Sequence, residues 1–316
     1  MSGPTVSVVI CAYTMQRWAD LVAAVSSAAD QPETSEVVVV IDHEPKLLAR
    51  ARAQWENLQI VSNVYRQGLS GARNTGLEAT SGEIVAFLDD DAVARPDWLA
   101  AMLGYFEITE VVAVGGKAEP VWPGDTVPAT LPPELLWVVG CTYLGQPTSH
   151  ADVRNVLGCS MSFRRAALIE VGGFNLDTGR VGNVPLGCEE TDVCIRLRQA
   201  DPRRRIIFAP DSVVSHRVTP DRLTWRYLRR RSFFEGISKA VLGKELGARD
   251  ALSTERAYVR SVLPRGFVRE LRGLRPLRAT AIVVSLTSAG FGYVYGSVRT
   301  RFADAGKRPA PVRVSQ

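Results

Sequence analysis

Short, nearly continuous apolar runs alternate along the chain with stretches in which apolar residues recur every three or four positions. The first run, Val6-Ser7-Val8-Val9-Ile10-Cys11-Ala12, is rich in β-branched residues and predicts a strand buried on both faces. Trp18 to about Ala29 predicts a helix, and Glu36–Ile41 a second apolar strand that ends at Asp42. Pro45 suits the first turn of a further helix, whose Leu47, Leu48, Ala51 and Trp55 share one face. Ser70–Thr80 reads as a third helix, and Ile84–Leu88 as a strand running straight into Asp89-Asp90-Asp91. Such alternation implies an α/β fold, with a mostly parallel central sheet flanked by helices and joined by right-handed crossovers.

After Pro96, the residues Trp98, Leu99, Met102, Leu103 and Phe106 mark an amphipathic helix, and Val111–Gly115 a strand. Residues 118–150 are rich in Pro, Gly and Thr and predict an irregular excursion. Order resumes near Asn155–Arg164, followed by a short helix, Gly172-Gly173-Phe174 and a loop to Gly187. Glu189–Gln199 is helical, with Glu190, Val193 and Leu197 on one side, and Ile206–Ala209 is a strand. From Thr219 the chain reads as helical and arginine-rich. Ala279–Val298 is twenty residues without a formal charge between Arg275/Arg278 and Arg299/Arg301. That length would span a bilayer, but three Gly, three Ser, two Thr and two Tyr dilute its apolarity. A span, a membrane-lying helix and a soluble packing helix all remain open. There is no internal repeat. The expected division is a catalytic domain over 1–240 and a basic helical, membrane-associating extension over 241–316.

Composition is that of a globular chain: of 316 residues, 46% are hydrophobic and 22% charged, which excludes disorder as the default. The net charge of +5 is unevenly placed. Residues 264–316 hold ten Lys/Arg against Glu270 and Asp304, a tail suited to an anionic surface. Arg203–Arg231 contains nine arginines, and Arg229-Arg230-Arg231 with Phe233 and Phe234 predicts either a mixed basic–aromatic surface able to grip a donor diphosphate or an acceptor's lipid phosphate, or a solvated helix face. Five scattered cysteines without a CxxC pair suggest neither a disulfide framework nor a zinc site. The N-terminus lacks a basic n-region, and its first apolar run is too short for a signal peptide. A reducing, cytoplasmic setting is expected.

The chemistry centres on Asp89-Asp90-Asp91. Ligands of open α/β sheets bind at the carboxyl ends of strands, where these three carboxylates fall. Their mutual repulsion invites a hard divalent cation, Mn2+ or Mg2+, which would also take oxygens of a diphosphate. The plainer alternative is a solvated acidic turn that caps the following helix.

An ordered series of motifs separates these readings. Ser7–Tyr13, Asp42 after a strand, Gly71-Ala72-Arg73-Asn74-Thr75-Gly76, Phe87–Asp91 with Pro96-Asp97-Trp98-Leu99, Gly172-Gly173-Phe174 and Glu189-Glu190-Thr191-Asp192 follow one another along residues 5–240. The series resembles family 2 glycosyltransferases of the GT-A fold. The resemblance implies an inverting transferase using a nucleotide sugar, with UDP the expected nucleotide. It places Ala12 and Tyr13 at the base pocket, Asp42 at the uracil and ribose, and Arg73 beside the donor. Asp89 and Asp91 match the family's DXD, with Asp89 near ribose or metal, Asp91 a direct metal ligand, and Asp90 grouped with the donor-binding residues. Where the family often has a second Asp after Asp42, this chain has His43. Glu189-Glu190 stands where the family has its catalytic acidic pair, usually Glu-Asp, and Glu190 takes the position of the base. His216, just after a strand, resembles a histidine that some GT-A enzymes offer to the metal. A structural, hydrogen-bonded histidine is the competing reading.

The expected acceptor is a lipid-linked saccharide or cell-surface glycan, handled at the inner face of the cell membrane. A transferase acting on polyprenyl phosphate itself would keep the fold and need no base. A nucleotidyltransferase would want a Gly-rich loop with a basic residue near the N-terminus, and Ala12–Trp18 contains no glycine. No nucleic-acid motif accompanies the arginines, so nucleic acid is not an expected partner.

Overall fold

Strand β1 (Val6–Ala12) takes the middle of the sheet because both of its faces are apolar. Val6, Val8, Ile10 and Ala12 pack on one side with helices α1 (Trp18–Ala29) and α2 (Pro45–Gln54). Val9 packs on the other with Val38 and Val40 of β2 (Thr34–Ile41) and Ala72 and Leu77 of α3 (Leu69–Ala79). The period-two alternation of a strand is thus satisfied twice, once per layer of helices. The computed structural model describes residues 3–179 and 187–305, with the side chains of 125 and 301–305 excepted. Lys307, Arg308 and Arg313 of the basic tail, and most of the loop before Gly187, lie outside the described residues.

Among the described residues the sheet has nine strands. The remaining ones are β3 (Gln59–Ser62), β4 (Ile84–Asp89), β5 (Ala92–Ala94), β6 (Val111–Val121), β7 (Ala151–Asp152), β8 (Ser160–Arg164) and β9 (Arg205–Arg217). Their order is β3-β2-β1-β4-β8-β6-β9-β5, with β7 on β9. Strands β5, β7 and β8 run against all the others. The sheet is therefore mostly parallel in direction but mixed in pairing. β8 lies antiparallel between β4 and β6, and its Ser160 and Ser162 are buried because both find partners. Trp98 Nε1 donates to Ser160 Oγ at 2.9 Å, and Ser162 Oγ donates to the Val114 carbonyl at 3.1 Å.

Three boundaries differ from the sequence expectation. The helix after Pro96 shrinks to α4 (Ala100–Leu103), with Trp98 and Leu99 fully buried in the turn before it. The excursion of 118–150 begins as strand, since β6 continues to Val121. β9 runs on from Ala209 to Arg217 past an irregularity opposite Gly116/Lys117, so that His216 pairs with Ala92 just beyond the acidic triplet.

Helix α5 (Arg165–Glu170) follows β8, and α6 (Glu189–Ala200) carries the second acidic pair. Beyond β9 come α7 (Trp225–Glu245), α8 (Ala248–Ala251), α9 (Ser253–Ala257), α10 (Leu263–Arg272) and α11 (Pro276–Ala305). The division placed at residue 240 falls inside α7. A third apolar cluster joins Leu228, Leu263, Ala281 and Ile282 to Leu131, Leu135, Val138 and Val139, so the extension and the excursion share one core.

α7 and α11 run side by side in the same direction, from the Ser232–Ser285 hydroxyl contact at 2.9 Å to the Lys244 Nζ bond to the Thr300 carbonyl at 2.9 Å. Glycines permit this approach. A Cβ on Gly236 would overlap the Ala289 carbonyl, and one on Gly292 the Phe233 carbonyl. Gly292→Ala is therefore expected to lower stability by about 1–3 kcal/mol in urea unfolding, the penalty of overpacking. Gly290→Ala, whose Cβ would meet nothing within 4 Å, should be neutral or stabilising. Equal effects at the two positions would contradict the packing.

Candidate active site

The end of β4 delivers Asp89 and Asp91 to a cavity of about 780 Å³, and Asp90 to an adjoining cleft. Asp90 and Asp91 are buried, whereas the Asp89 side chain is about one-third exposed. Charges of one sign cannot be buried side by side without compensation. Arg17, from the turn before α1, lies 2.8 Å from Asp90 Oδ1 and 3.1 Å from Asp91 Oδ2. Arg222 reaches Asp91 Oδ2 at 3.1 Å, and His216 Nε2 lies 3.3 Å from Asp91 Oδ1. Burial alone would push the Asp91 carboxyl up, but His216, Arg17 and Arg222 outweigh it and hold it well below the carboxylate range. Burial likewise disfavours the His216 imidazolium, yet Asp91 pushes its pKa up to about 10. Asp90, buried beside Asp91 and Asp89, is pushed up to about 7 despite Arg17.

The ligand atoms of Asp89, Asp91 and His216 lie within 4.8 Å of one another. Two carboxylates and an imidazole form a donor set that Mn2+ accepts. One oxygen each of Asp90 and Glu189 is buried without a hydrogen-bond partner. An orphaned buried acceptor beside such a group marks where positive charge is wanted, so these residues fit a divalent cation. To ligate it, His216 must release its proton.

Arg73 connects the triplet to the second acidic pair. It is 2% exposed; Nη1 lies 2.9 Å from Glu189 Oε1, Nη2 lies 3.3 Å from Asp89 Oδ1, and Nη2 also donates to the Gly158 carbonyl at 2.9 Å. It lines the cavity wall, with its guanidinium engaged by carboxylates. The next residue ties the motif to Gly172-Gly173-Phe174. Asn74 Nδ2 donates to the Phe174 carbonyl and Asn74 Oδ1 accepts from the Phe174 amide, both at 2.8 Å. Gly173 has φ +68°, and a Cβ there would collide with the Asn74 side chain.

Glu190 lines the same cavity from the first turn of α6. Among the described residues it makes no ion pair, and its one side-chain bond comes from Thr191 Oγ1 at 3.4 Å. Burial, reinforced by the Glu189 charge, pushes its pKa up to about 7, against the pull of Lys239 and Arg73. A second, narrower cleft of about 60 Å³ is lined by Ala12, Tyr13, Arg17, Asp42, Asp89 and Asp90, among others. Asp42 organises its wall by accepting from Asn63 Nδ2 at 2.7 Å and the Gly68 amide at 3.0 Å, and His43 Nδ1 lies 2.8 Å from its Oδ1. All the residues expected at the donor, metal and base positions thus converge on two adjoining hollows.

This arrangement agrees with what the chain is similar to. The glycosyl transferase family 2 profile matches residues 7–172. The chain belongs to glycosyl transferase family 2. A glucosyl-dolichyl phosphate glucuronosyltransferase of Haloferax volcanii is 33% identical over 303 residues, covering 92% of this chain and 96% of the relative. The succinoglycan biosynthesis protein ExoM of Rhizobium meliloti is 26% identical over 270 residues, 80% of each chain. A mannosyltransferase of Pyrobaculum calidifontis, solved with GDP-Man and Mn2+, superposes with a TM-score of 0.60 at 19% identity over 93% of this chain and 88% of its own, which establishes the GT-A architecture.

Reading the transferase from its sequence alone misses several site residues. Arg17 and Arg222 carry no local signal, because their role comes from reaching Asp91 across the fold. Of the three consecutive arginines expected on one basic–aromatic surface, Arg231 alone lines the cavity, paired with Glu235 at 2.8 Å, while Arg229 and Arg230 are exposed. Removing Arg73 would strand Asp89 and Glu189 without their shared cation. Arg73→Met is expected to cost about 3–5 kcal/mol in thermal or urea unfolding, as for other buried pairs deprived of one partner. A stability within 1 kcal/mol of the parent would show the bridge to be dispensable.

Proposed function

We propose that this transferase moves a sugar, with inversion, from a uridine diphosphate donor to a hydroxyl of a saccharide carried on a lipid phosphate. The observation that carries the reading is Glu190 standing in one cavity with the Asp89, Asp91 and His216 group. The cleft of Ala12, Tyr13 and Asp42 takes the nucleoside. Asp89, Asp91 and His216 would hold Mn2+ or Mg2+, which when bound supplies positive charge to the departing diphosphate. Glu190 takes the proton of the acceptor hydroxyl as its oxygen attacks the anomeric carbon. The new glycosidic bond forms while the bond from that carbon to the diphosphate breaks, releasing UDP. A carboxyl pushed up to about 7 is a stronger base than an ordinary glutamate at neutral pH. That suits a hydroxyl acceptor, since an ionised phosphate needs no base. Near full-length similarity to an enzyme named for a glucosyl-dolichyl phosphate supports the lipid-linked acceptor.

The C-terminal helices suit work at the cytoplasmic membrane surface. Residues Pro276–Thr300 have a mean hydropathy of 1.4, yet only 28% of the apolar window is buried. Phe291, Val294, Tyr295 and Val298 all stand exposed. Carrying α11 across a bilayer would take Glu235, Lys239 and Lys244 of the adjacent α7 into hydrocarbon, which is strongly unfavourable. The helix therefore lies against the interface rather than across it.

UDP with Mn2+ should raise the melting temperature and UDP alone much less, with the metal-dependent increment lost in Asp91→Asn. Transfer should rise with pH through about 7 and level off above it, because Glu190 must be ionised to act. Glu190→Gln should lower turnover by about 10²–10⁴-fold with donor binding intact. Undiminished transfer by that variant would point to a phosphate acceptor. In membranes, alkaline carbonate should release the protein into the supernatant, and retention in the pellet would instead indicate a spanning helix.

A further inference from the structure

Opposite chemistry shares the cavity with the acidic groups. Arg154, from the loop after β7, donates to Glu255 Oε1 of α9 at 2.8 Å. Lys239 Nζ lies 2.8 Å from the same Glu255 oxygen and 3.5 Å from Glu235 Oε1, and Arg231 Nη1 lies 2.8 Å from Glu235 Oε2. All five side chains line the cavity. The cations hold Glu235 and Glu255 ionised against burial, Glu255 at about 2, and Lys239 stays protonated. Taken by itself, the network of three cations and two carboxylates carries one surplus positive charge, and Glu190 faces the same cavity.

The network adjoins the turn that leads into α6. The Gly187 amide donates to Ser238 Oγ at 3.2 Å, Cys188 Sγ contacts Glu235 at 3.6 Å, and a Cβ on Gly187 would lie 3.3 Å from Arg231 Nη2. Glu190 is three residues from Gly187 and feels the Lys239 charge. Leu286, Ala289, Gly290 and Tyr293 of α11 line the same cavity, and the outer side of that helix is the exposed apolar face. Cationic on one side and apolar on another, the hollow suits an anion attached to a hydrocarbon chain.

We infer that Arg154, Arg231 and Lys239 form a subsite for the phosphate of a lipid-linked acceptor, beside the base and distinct from the donor diphosphate site. This inference rests on the proposed acceptor class. A lipid phosphodiester of a sugar carries one negative charge, matching the surplus of the network. Glu235 and Glu255 keep the three cations oriented and prevent the pocket from overbinding more highly charged phosphates. The alkyl chain leaves along α11 toward the membrane surface.

The test uses the full chain in neutral detergent and follows tryptophan fluorescence, since the Arg231 guanidinium lies 5.6 Å from the Trp137 ring. Glucosyl decaprenyl phosphate should bind about tenfold or more tighter than decaprenyl glucoside, which has the same sugar and chain without the charge. Glu235→Gln raises the surplus charge and should tighten the phospholipid about threefold to tenfold, with the neutral lipid unchanged. Lys239→Gln should weaken the phospholipid by a similar factor, and Lys239→Arg should restore it. A purely structural network predicts no tightening in any variant. If Lys239→Gln does not fold, Glu235→Gln still decides. Equal affinity for the two lipids, or weaker phospholipid binding in a stably folded Glu235→Gln protein, overturns the inference. Inorganic phosphate that binds as tightly as the lipid would make the occupant a free anion and overturn the lipid assignment. UDP with Mn2+ serves as the control. Intact nucleotide binding without phosphate discrimination sinks the subsite alone, whereas phosphate discrimination without nucleotide binding sinks the proposed function and leaves the subsite standing.

Discussion

Three consecutive carboxylates at the end of a buried strand repel one another, and the rest of the site is arranged around that repulsion. Arg17, Arg73, Arg222 and His216 each reach in from a different part of the chain to offset it. Desolvation makes each of these charges expensive by itself and stable only in company. The compensation is incomplete, because acceptors of Asp90 and Glu189 remain orphaned. A site left short of positive charge in this way is prepared for a cation and for the donor's polar groups.

The same residues unite the two halves of the catalytic domain. α3 lies under the parallel half of the sheet, yet Arg73 and Asn74 on it grip Glu189 and Phe174 from the second half. Phe174 in turn packs edge-on against Phe87 and Phe163, and Val193, Cys194 and Leu197 of the helix that carries Glu190 join the same apolar cluster as Phe87 of the strand that ends in the triplet. The spacing between Glu190 and the acidic triplet is thereby set by a packed core rather than by loops, which would suit the proposed inverting transfer, where the nucleophile must meet the anomeric carbon from a fixed side.

The C-terminal helices extend this logic to the acceptor. α11 is held to α7 by glycine contacts that leave no room for a side chain, and it closes one wall of the catalytic cavity. With its apolar outer face exposed and its inner face on the cavity, α11 would, in the proposed reading, separate lipid from the active site. The charged network beneath it places positive charge at the point where a membrane-anchored substrate would enter.

Much of this was legible in the residues. The double-faced apolar runs of β1, β2 and β4 could only be central strands, and the acidic triplet after β4 had to fall at the ligand-binding edge of the sheet. The ordered motifs pointed to Asp42, Arg73 and Glu190, and these do line adjoining hollows. The strands β3, β5, β7 and β8 gave no comparable signal, being short or serine-bearing and stable only through their neighbours. Nor could Arg17, Arg222 or Lys239 be told from the many arginines and lysines that merely face water, since each is defined by a carboxylate distant in the chain. Local pattern determined the strands, the helices and the position of the acidic edge, because periodicity and turn chemistry act over a few residues. Which cations guard that edge, and which wall α11 closes, was decided only by tertiary packing, because burial and charge pairing depend on what the fold brings together.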